Sequence, residues 1–210
     1  MNDANDKCRQ AAPVSKGFEE RLRRCNSLDD HGFQEWVFHP AMLFGARSKW
    51  WGDQGKRDRP HEGLDLCLYR TKEGNILRLD EKTKVPVIFA GEIVKVCDDF
   101  LGESIFVSHH TFDKQGRRLH TLYGHIKPYS RMRPGMLLQE GDIIGTIAGT
   151  RKRNGAVPCH AHISVAWIPD SVPVQELDWK SVGDPKVVLL DPLTVITCCY
   201  SIEEGDWLFR

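Results

Sequence analysis

The sequence predicts a mainly β protein: an antiparallel β-sheet core, built as a sandwich or a partly open barrel, behind a short N-terminal helical extension. Three observations point there. Short runs rich in β-branched and aromatic residues recur between glycines and turn residues, and no long amphipathic helix separates them. The 210 residues, 40 % hydrophobic and 28 % charged, suit one globular domain with an extension.

Residues 1–40 read as the extension. Met1 to Gln10 is polar and charged with no apolar h-region, so no export signal is visible in this chain. Ser15 to Cys25 places Phe18, Leu22 and Cys25 at helical spacing with charges opposite, the pattern of a packing helix. The core is expected over residues 41–170. Its strands are Leu64 to Tyr69, Val85 to Val96, Ser104 to Ser108, Arg118 to Tyr123, Ile143 to Ala148 and Ala161 to Ile168. The charged stretch Arg70 to Lys84 reads as a loop or irregular hairpin, and Phe112 to Arg117, with Asp113, Gln115 and Gly116, as a hairpin connection. Residues 171–210 are irregular and proline-bearing, with strand signals at Val187 to Leu190 and Val195 to Tyr200, and are expected to pack on the core as a tail.

Composition removes several function classes. Twenty-nine basic residues balance 29 acidic ones, so the electrostatic footprint of a nucleic-acid binder is missing. Arg151, Lys152 and Arg153 are the sole basic run, and beside glycines they suit a solvated loop. No run approaches the roughly eighteen apolar residues of a membrane span. Seven cysteines, an odd number without a CxxC pair, read as reduced, partly buried thiols and not as a disulfide framework or zinc knuckle. Nothing in the sequence indicates an oligomeric state.

The nine histidines are more informative because they cluster. In Arg59 to Tyr69, Leu64, Leu66 and Leu68 share one face of an extended chain, while His61, Gly63 and Asp65 share the other. An imidazole and a carboxylate then look into one space. In Pro158 to Trp167, Ala161, Ile163 and Val165 face one way, and His160, His162 and Ser164 face the other. A sheet does not accept two histidines and an aspartate without partners, since each buried unsatisfied polar group costs about 1–3 kcal/mol. A divalent cation removes that cost, and zinc held by two histidines and a carboxylate keeps a fourth position for water. HxH alone is short and equally suits a solvated strand end. The second strand with His61 and Asp65 gives the metal reading its weight, and His125, in Leu122 to Ile126, adds to it. Cys159 has the wrong parity for a ligand. Of His109 and His110, adjacent on a strand, only one can face any given site. His31, His39 and His120 carry no pattern.

These pieces resemble the lysostaphin and LytM type of zinc metallopeptidases. The family order of motifs stands here as Phe44-Gly45-Ala46-Arg47, His61 to Asp65, Ala90-Gly91-Glu92-Ile93-Val94, Tyr123-Gly124-His125, Gly141-Asp142-Ile143-Ile144-Gly145 and His160-Ala161-His162. The match covers residues 41 to 168, and its specificity lies in the order of motifs. The resemblance implies a β-sheet core with an active-site groove, zinc ligands His61, Asp65 and His162, catalytic histidines His125 and His160, and hydrolysis of cross-linking peptides of bacterial cell wall in the envelope or periplasm. Ala161, Ile163 and Val165 depart from the usual leucine, phenylalanine and glutamate around HxH; none is a ligand, so changed packing or specificity is expected with the chemistry retained.

Without an HExxH helix, no glutamate stands ready as base, so His160 and His125 must supply proton transfer and hydrogen bonds to the tetrahedral intermediate; His160 is assigned the base role and His125 the stabilising one, and exchanging them leaves the constellation unchanged. Tyr123 and Trp51 are the candidate substrate contacts; the Trp50-Trp51 loop reads equally as groove wall or as a surface loop anchored by one buried tryptophan. A competing reading is a non-catalytic module that keeps the fold for a protein partner. A cupin-like oxygenase fits less well, because no glutamate follows HxH by a few residues.

Overall fold

A computed structural model describes residues 12–150 and 157–205. Met1 to Gln10, Cys8 and the basic run Arg151 to Arg153 lie outside the described residues. Thirteen strands and one α-helix are described, in two sheets and without a closed barrel. The mainly β expectation holds.

The helix, α1 (Phe18–Cys25), buries Phe18 and Leu22, one turn apart, and places Glu19 and Glu20 in its first turn and Arg23 and Arg24 in its last, matching the helix dipole. Asn26 behind it donates to Leu22 O and Lys84 O, each at 2.9 Å, and accepts from Lys84 N at 2.7 Å, tying the helix to the sheet.

The smaller sheet has β1 (Phe33–Phe38) and β3 (Leu68–Thr71) at its centre, with β4 (Ile76–Arg78) beside β3 and β13 (Tyr200–Ile202) parallel to β1. Residues 33–38, read as part of an extension, thus form an interior strand. Phe33 and Trp36 of β1 meet at 5.0 Å, and Tyr69 of β3 stacks on Phe33 at 5.7 Å.

The larger sheet runs β12 (Val188–Leu190), β11 (Ala161–Ile168), β8 (Arg118–Pro128), β7 (Glu103–Phe112), β6 (Gly91–Asp98) and β9 (Leu137–Leu138), with β10 (Ile143–Ile147) on β8, β5 (Lys84–Pro86) on β10, and β2 (Leu64–Leu66) on β11. The single strand expected over Leu64 to Tyr69 is two. At Cys67 the chain leaves the large sheet for the small one. The Cys67 thiol is buried there, donates to Cys159 O at 3.2 Å and is pushed up to about 12 by burial, which makes it inert. The strand expected over Val85 to Val96 also breaks, because Pro86 has no N–H and Ile88 N donates to the Tyr123 hydroxyl at 2.7 Å. In the tail, Val195 and Ile196 enter the core as side chains, so the last strand begins only at Tyr200.

Both faces of the large sheet are covered. Ile163, Val165, Trp167 and Tyr123 belong to the core between the sheets, whereas Ala166, Ile168, Phe106 and Leu122 pack under Leu177, Val182 and Val187 of the C-terminal segment. His160 and His162 share the second face, at the end of β11 where the covering segment stops.

Candidate metal centre

Strand β11 is paired on both sides at its start: His162 lies opposite Asp65 of β2 and opposite Gly124 of β8. That register brings side chains about a hundred residues apart into one place. Asp65 Oδ1 stands 2.8 Å from His162 Nδ1 and 3.1 Å from His61 Nε2, and the two nitrogens are 3.1 Å apart. All three residues are at least 95 % buried. His160 Nε2 lies 3.7 Å from the same oxygen. Among the described residues, His61, Asp65 and His162 are the one group able to hold a metal ion.

For His61 and His160 the outer nitrogen fixes the proton. His61 Nδ1–H donates to Leu43 O at 3.0 Å and His160 Nδ1–H to Pro158 O at 2.8 Å, while His162 Nε2 is hydrogen-bonded to Ser164 Oγ at 2.9 Å. Carbonyls accept only, so His61 and His160 turn an Nε2 lone pair inward, the orientation that second-sphere partners impose on metal-ligating imidazoles. Burial pushes His162 down to about 3 and His160 to about 4. Burial acts to raise the Asp65 carboxyl, yet His61, His160 and His162 outweigh it and hold the group well below its usual range. The inward Nε2 atoms of His61 and His160 and the Nδ1 of His162 therefore converge on the Asp65 carboxylate. A divalent cation fits that donor set.

Asp65 Oδ2 points away from the convergence. It accepts from Trp50 Nε1 at 2.6 Å, with Arg57 Nη2 at 3.5 Å. Gly63 is required beside it: a Cβ there would stand 2.7 Å from both His162 Nε2 and Ser164 Oγ.

His125 reaches the site differently. Ile105 pairs with Tyr123 and Glu103 with Ile126, so Gly124 and His125 together oppose Ser104 alone, a β-bulge. At φ 59° His125 occupies the left-handed region, which costs a non-glycine residue about 1–3 kcal/mol. The bulge swings its ring out of the face Tyr123 occupies and sets it 4.9 Å from His160 and 5.8 Å from His162, centre to centre. Tyr123, of the same sequence parity, stays on the core face. It is fully buried with its hydroxyl on Ile88 N, and the structure does not bring it to the cleft.

The cleft over the site encloses about 370 Å³. Trp51 stacks on Phe100 at 5.5 Å to form one wall, and Trp179 stands edge-on to His162 at 4.9 Å as another. Trp50, in contrast, is buried under Asp65 and packs against His160 at 5.1 Å. Sequence reasoning did not single out Arg57, Asp99, Phe100 or Trp179; it placed Ser164 on the face of His160 and His162 without giving it a role. His109 is engaged elsewhere, between Ala90 O and Thr121 Oγ1, each at 2.8 Å.

No protein-family model matches this sequence, and no curated protein matches it. Solved structures do. The catalytic domain of the antimicrobial peptidase lysostaphin from Staphylococcus simulans is 16 % identical at TM-score 0.39, over 80 % of this chain and 93 % of that one. Lysostaphin- and LytM-type peptidases are among the structural neighbours. The catalytic domain of the prophage-encoded M23 protein EnpA from Enterococcus faecalis is 20 % identical at TM-score 0.36, over 55 % of this chain and 75 % of that one. A chain of the SpoIIQ–SpoIIIAH pore-forming complex is 16 % identical at TM-score 0.42, covering 89 % of both chains. At such identities the likeness concerns the fold alone.

Proposed function

We propose that this chain is a zinc-dependent endopeptidase that hydrolyses peptide bonds in the cross-linking peptides of bacterial peptidoglycan, acting in the cell envelope. The observation that carries the reading is the convergence of His61 Nε2, Asp65 Oδ1 and His162 Nδ1 within 3.1 Å of one another, beside two further histidines in one cleft. The peptidoglycan substrate rests on the order of motifs over residues 41 to 168. The peptidase unit is assigned to residues 41–170, with Trp179 from the following segment completing the cleft wall.

His61, Asp65 and His162 would hold the ion. A zinc ion so bound acidifies its water and polarises a carbonyl. His160, neutral and with its Nδ1–H committed to Pro158 O, accepts a proton at Nε2 from water in the cleft. His125, whose Nδ1–H is taken by Asp99 Oδ1 at 3.1 Å, leaves Nε2 for the cleft. Carrying a proton there, it hydrogen-bonds the oxygen on which charge develops and later passes the proton to the leaving amine. The walls formed by Trp51, Phe100 and Trp179 exclude water and hold the peptide against these groups.

Metal analysis of the purified chain, paired with digestion of purified cell wall, tests the reading. One zinc per chain and a chelator-sensitive release of peptide amines, abolished by His162→Ala, are expected. A folded chain that binds no zinc, or zinc-loaded protein that cleaves neither cell wall nor its isolated cross-linking peptides, would overturn it.

A further inference from the structure

His125 is held in the left-handed conformation by something outside its own strand. The bulge takes its N–H out of the ladder, and that N–H donates to Asp99 Oδ2 at 2.7 Å. The same carboxylate accepts the ring Nδ1–H at Oδ1. Asp99 lies in the turn between β6 and β7, and its side chain is 99 % buried. It is itself fixed: Leu101 N and Gly102 N each donate to Oδ1 at 2.8 Å, and Ser104 Oγ donates to Oδ2 at 2.6 Å. Trp179 Nε1, donating to Ser104 Oγ at 3.0 Å, extends the chain of bonds to the cleft wall. Five donors thus converge on one carboxylate. An amide cannot replace it, because its NH₂ would meet either the turn N–H groups or the His125 N–H.

We propose that Asp99 is a positioning residue for His125, holding its backbone in the left-handed bulge and its ring as the Nδ1–H tautomer, so that Nε2 is presented to the metal centre. The catalytic consequence rests on the peptidase reading; the positioning itself does not. Two contacts from one buried group define both the place and the orientation of the ring. Neither contact alone does so, since the backbone bond leaves the ring free to turn and the ring bond leaves the bulge unpaired.

The experiment has two arms on the full chain. In the metal-free protein, nitrogen-detected NMR of the imidazoles is expected to show His125 protonated at Nδ1 in the wild type and shifted toward the Nε2–H form in Asp99→Asn. In the zinc-loaded protein, Asp99→Asn is expected to keep its zinc and its KM on cross-linking peptides while kcat falls by about a hundredfold or more. Placed on His125→Ala, the same substitution adds no further loss, because it acts through that ring. Asp99→Glu, whose longer arm cannot meet both donors of His125, does not restore the rate.

A wild-type His125 protonated at Nε2 with Nδ1 free overturns the proposal, and this result is available even if Asp99→Asn does not fold. Equal losses from Asp99→Asn with and without His125 also overturn it. A wild type inactive on every peptide, with the tautomer shift still present in Asp99→Asn, upholds the positioning and removes only the peptidase reading.

Discussion

Asp65 and His162 are direct cross-strand partners, β2 against β11, and their side chains meet at 2.8 Å on the face of the sheet turned away from the core between the sheets. In an antiparallel pair such residues have Cβ atoms about 4.5–5.5 Å apart, a separation that two ligands of one cation can span. His61 joins them because the chain before β2 is pinned by paired backbone bonds, Gly45 N to His61 O and His61 N to Ala46 O, each at 2.9 Å. The fold therefore brings the three donor groups together.

Zinc should then stabilise the folded chain far more than the unfolded one. At free zinc a hundredfold above its dissociation constant the gain is about 2.7 kcal/mol, read as a rise in Tm that a chelator reverses. His162→Ala should show no zinc-dependent rise. An equal rise in that variant would place the ion elsewhere.

Gly63→Ala probes the same register from the backbone. The added methyl would press on His162 Nε2 and Ser164 Oγ, both 2.7 Å from its position, and on the backbone oxygen of Ile163. Overpacking of this kind costs about 1–3 kcal/mol, and the displaced imidazole should also weaken zinc binding. Urea unfolding and zinc titration check both effects; wild-type values in each would show that β2 and β11 are not as close as described.

Those parts of the site that follow from strand parity were legible in the sequence. Ala161 to Ile168 forms a strand with the expected bounds, and alternation put His160, His162 and Ser164 on one side. Asp65 and His61 were equally visible. Tyr123 is two residues from His125 in sequence yet lies on the core face, because the bulge separates the two rings; a bulge depends on what lies opposite, here Ser104, and leaves no local pattern. Asp99 and Trp179 come from a turn and from the C-terminal segment, joined to the site by hydrogen bonds between distant residues. Strand β1 escaped notice for a related reason: its partners are β3 and, in parallel, β13, some 160 residues further on. Periodicity reports which face is buried and says nothing of which strand covers it.

Acid should destabilise the protein before its carboxylates titrate. His120, on β8 between Ser108 and Ala166, is pushed down to about 4 by burial; its hydrogen bond to Arg118 O and the charge of Asp170 oppose the shift, and the charges of His109 and Arg118 add to it. In the unfolded chain the same ring takes a proton near about 6.5. Between those values the unfolded state binds more protons, so stability rises with pH: the contribution is complete near neutrality and is lost as pH falls from about 6.5 to about 4, with a slope approaching 1.4 kcal/mol per unit. His109, also pushed down by burial, acts in the same direction. Urea unfolding at about pH 7 and about pH 5 should show a marked loss for the wild type and a smaller one for His120→Gln. Parallel losses in the two proteins would clear His120 of the effect.

Trp50→Phe isolates the support behind Asp65, a proposed metal ligand. The indole Nε1–H donates to Asp65 Oδ2 at 2.6 Å, while Arg57 Nη2 stands further off at 3.5 Å, so the tryptophan is the stronger of the two groups orienting the carboxylate. Phenylalanine keeps an aromatic ring beside His160 and removes the donor. Oδ2 is then left buried with only the distant guanidinium, and the carboxylate is free to rotate and to offer both oxygens to the cleft. Loss of a partner of this kind lowers metal affinity by about 10–100-fold. Zinc affinity measured against a competing chelator should fall in that range, and turnover at saturating zinc should fall far less than in His125→Ala, because the proton-transfer groups are untouched. Unchanged affinity would mean that packing, and not the indole N–H, orients Asp65.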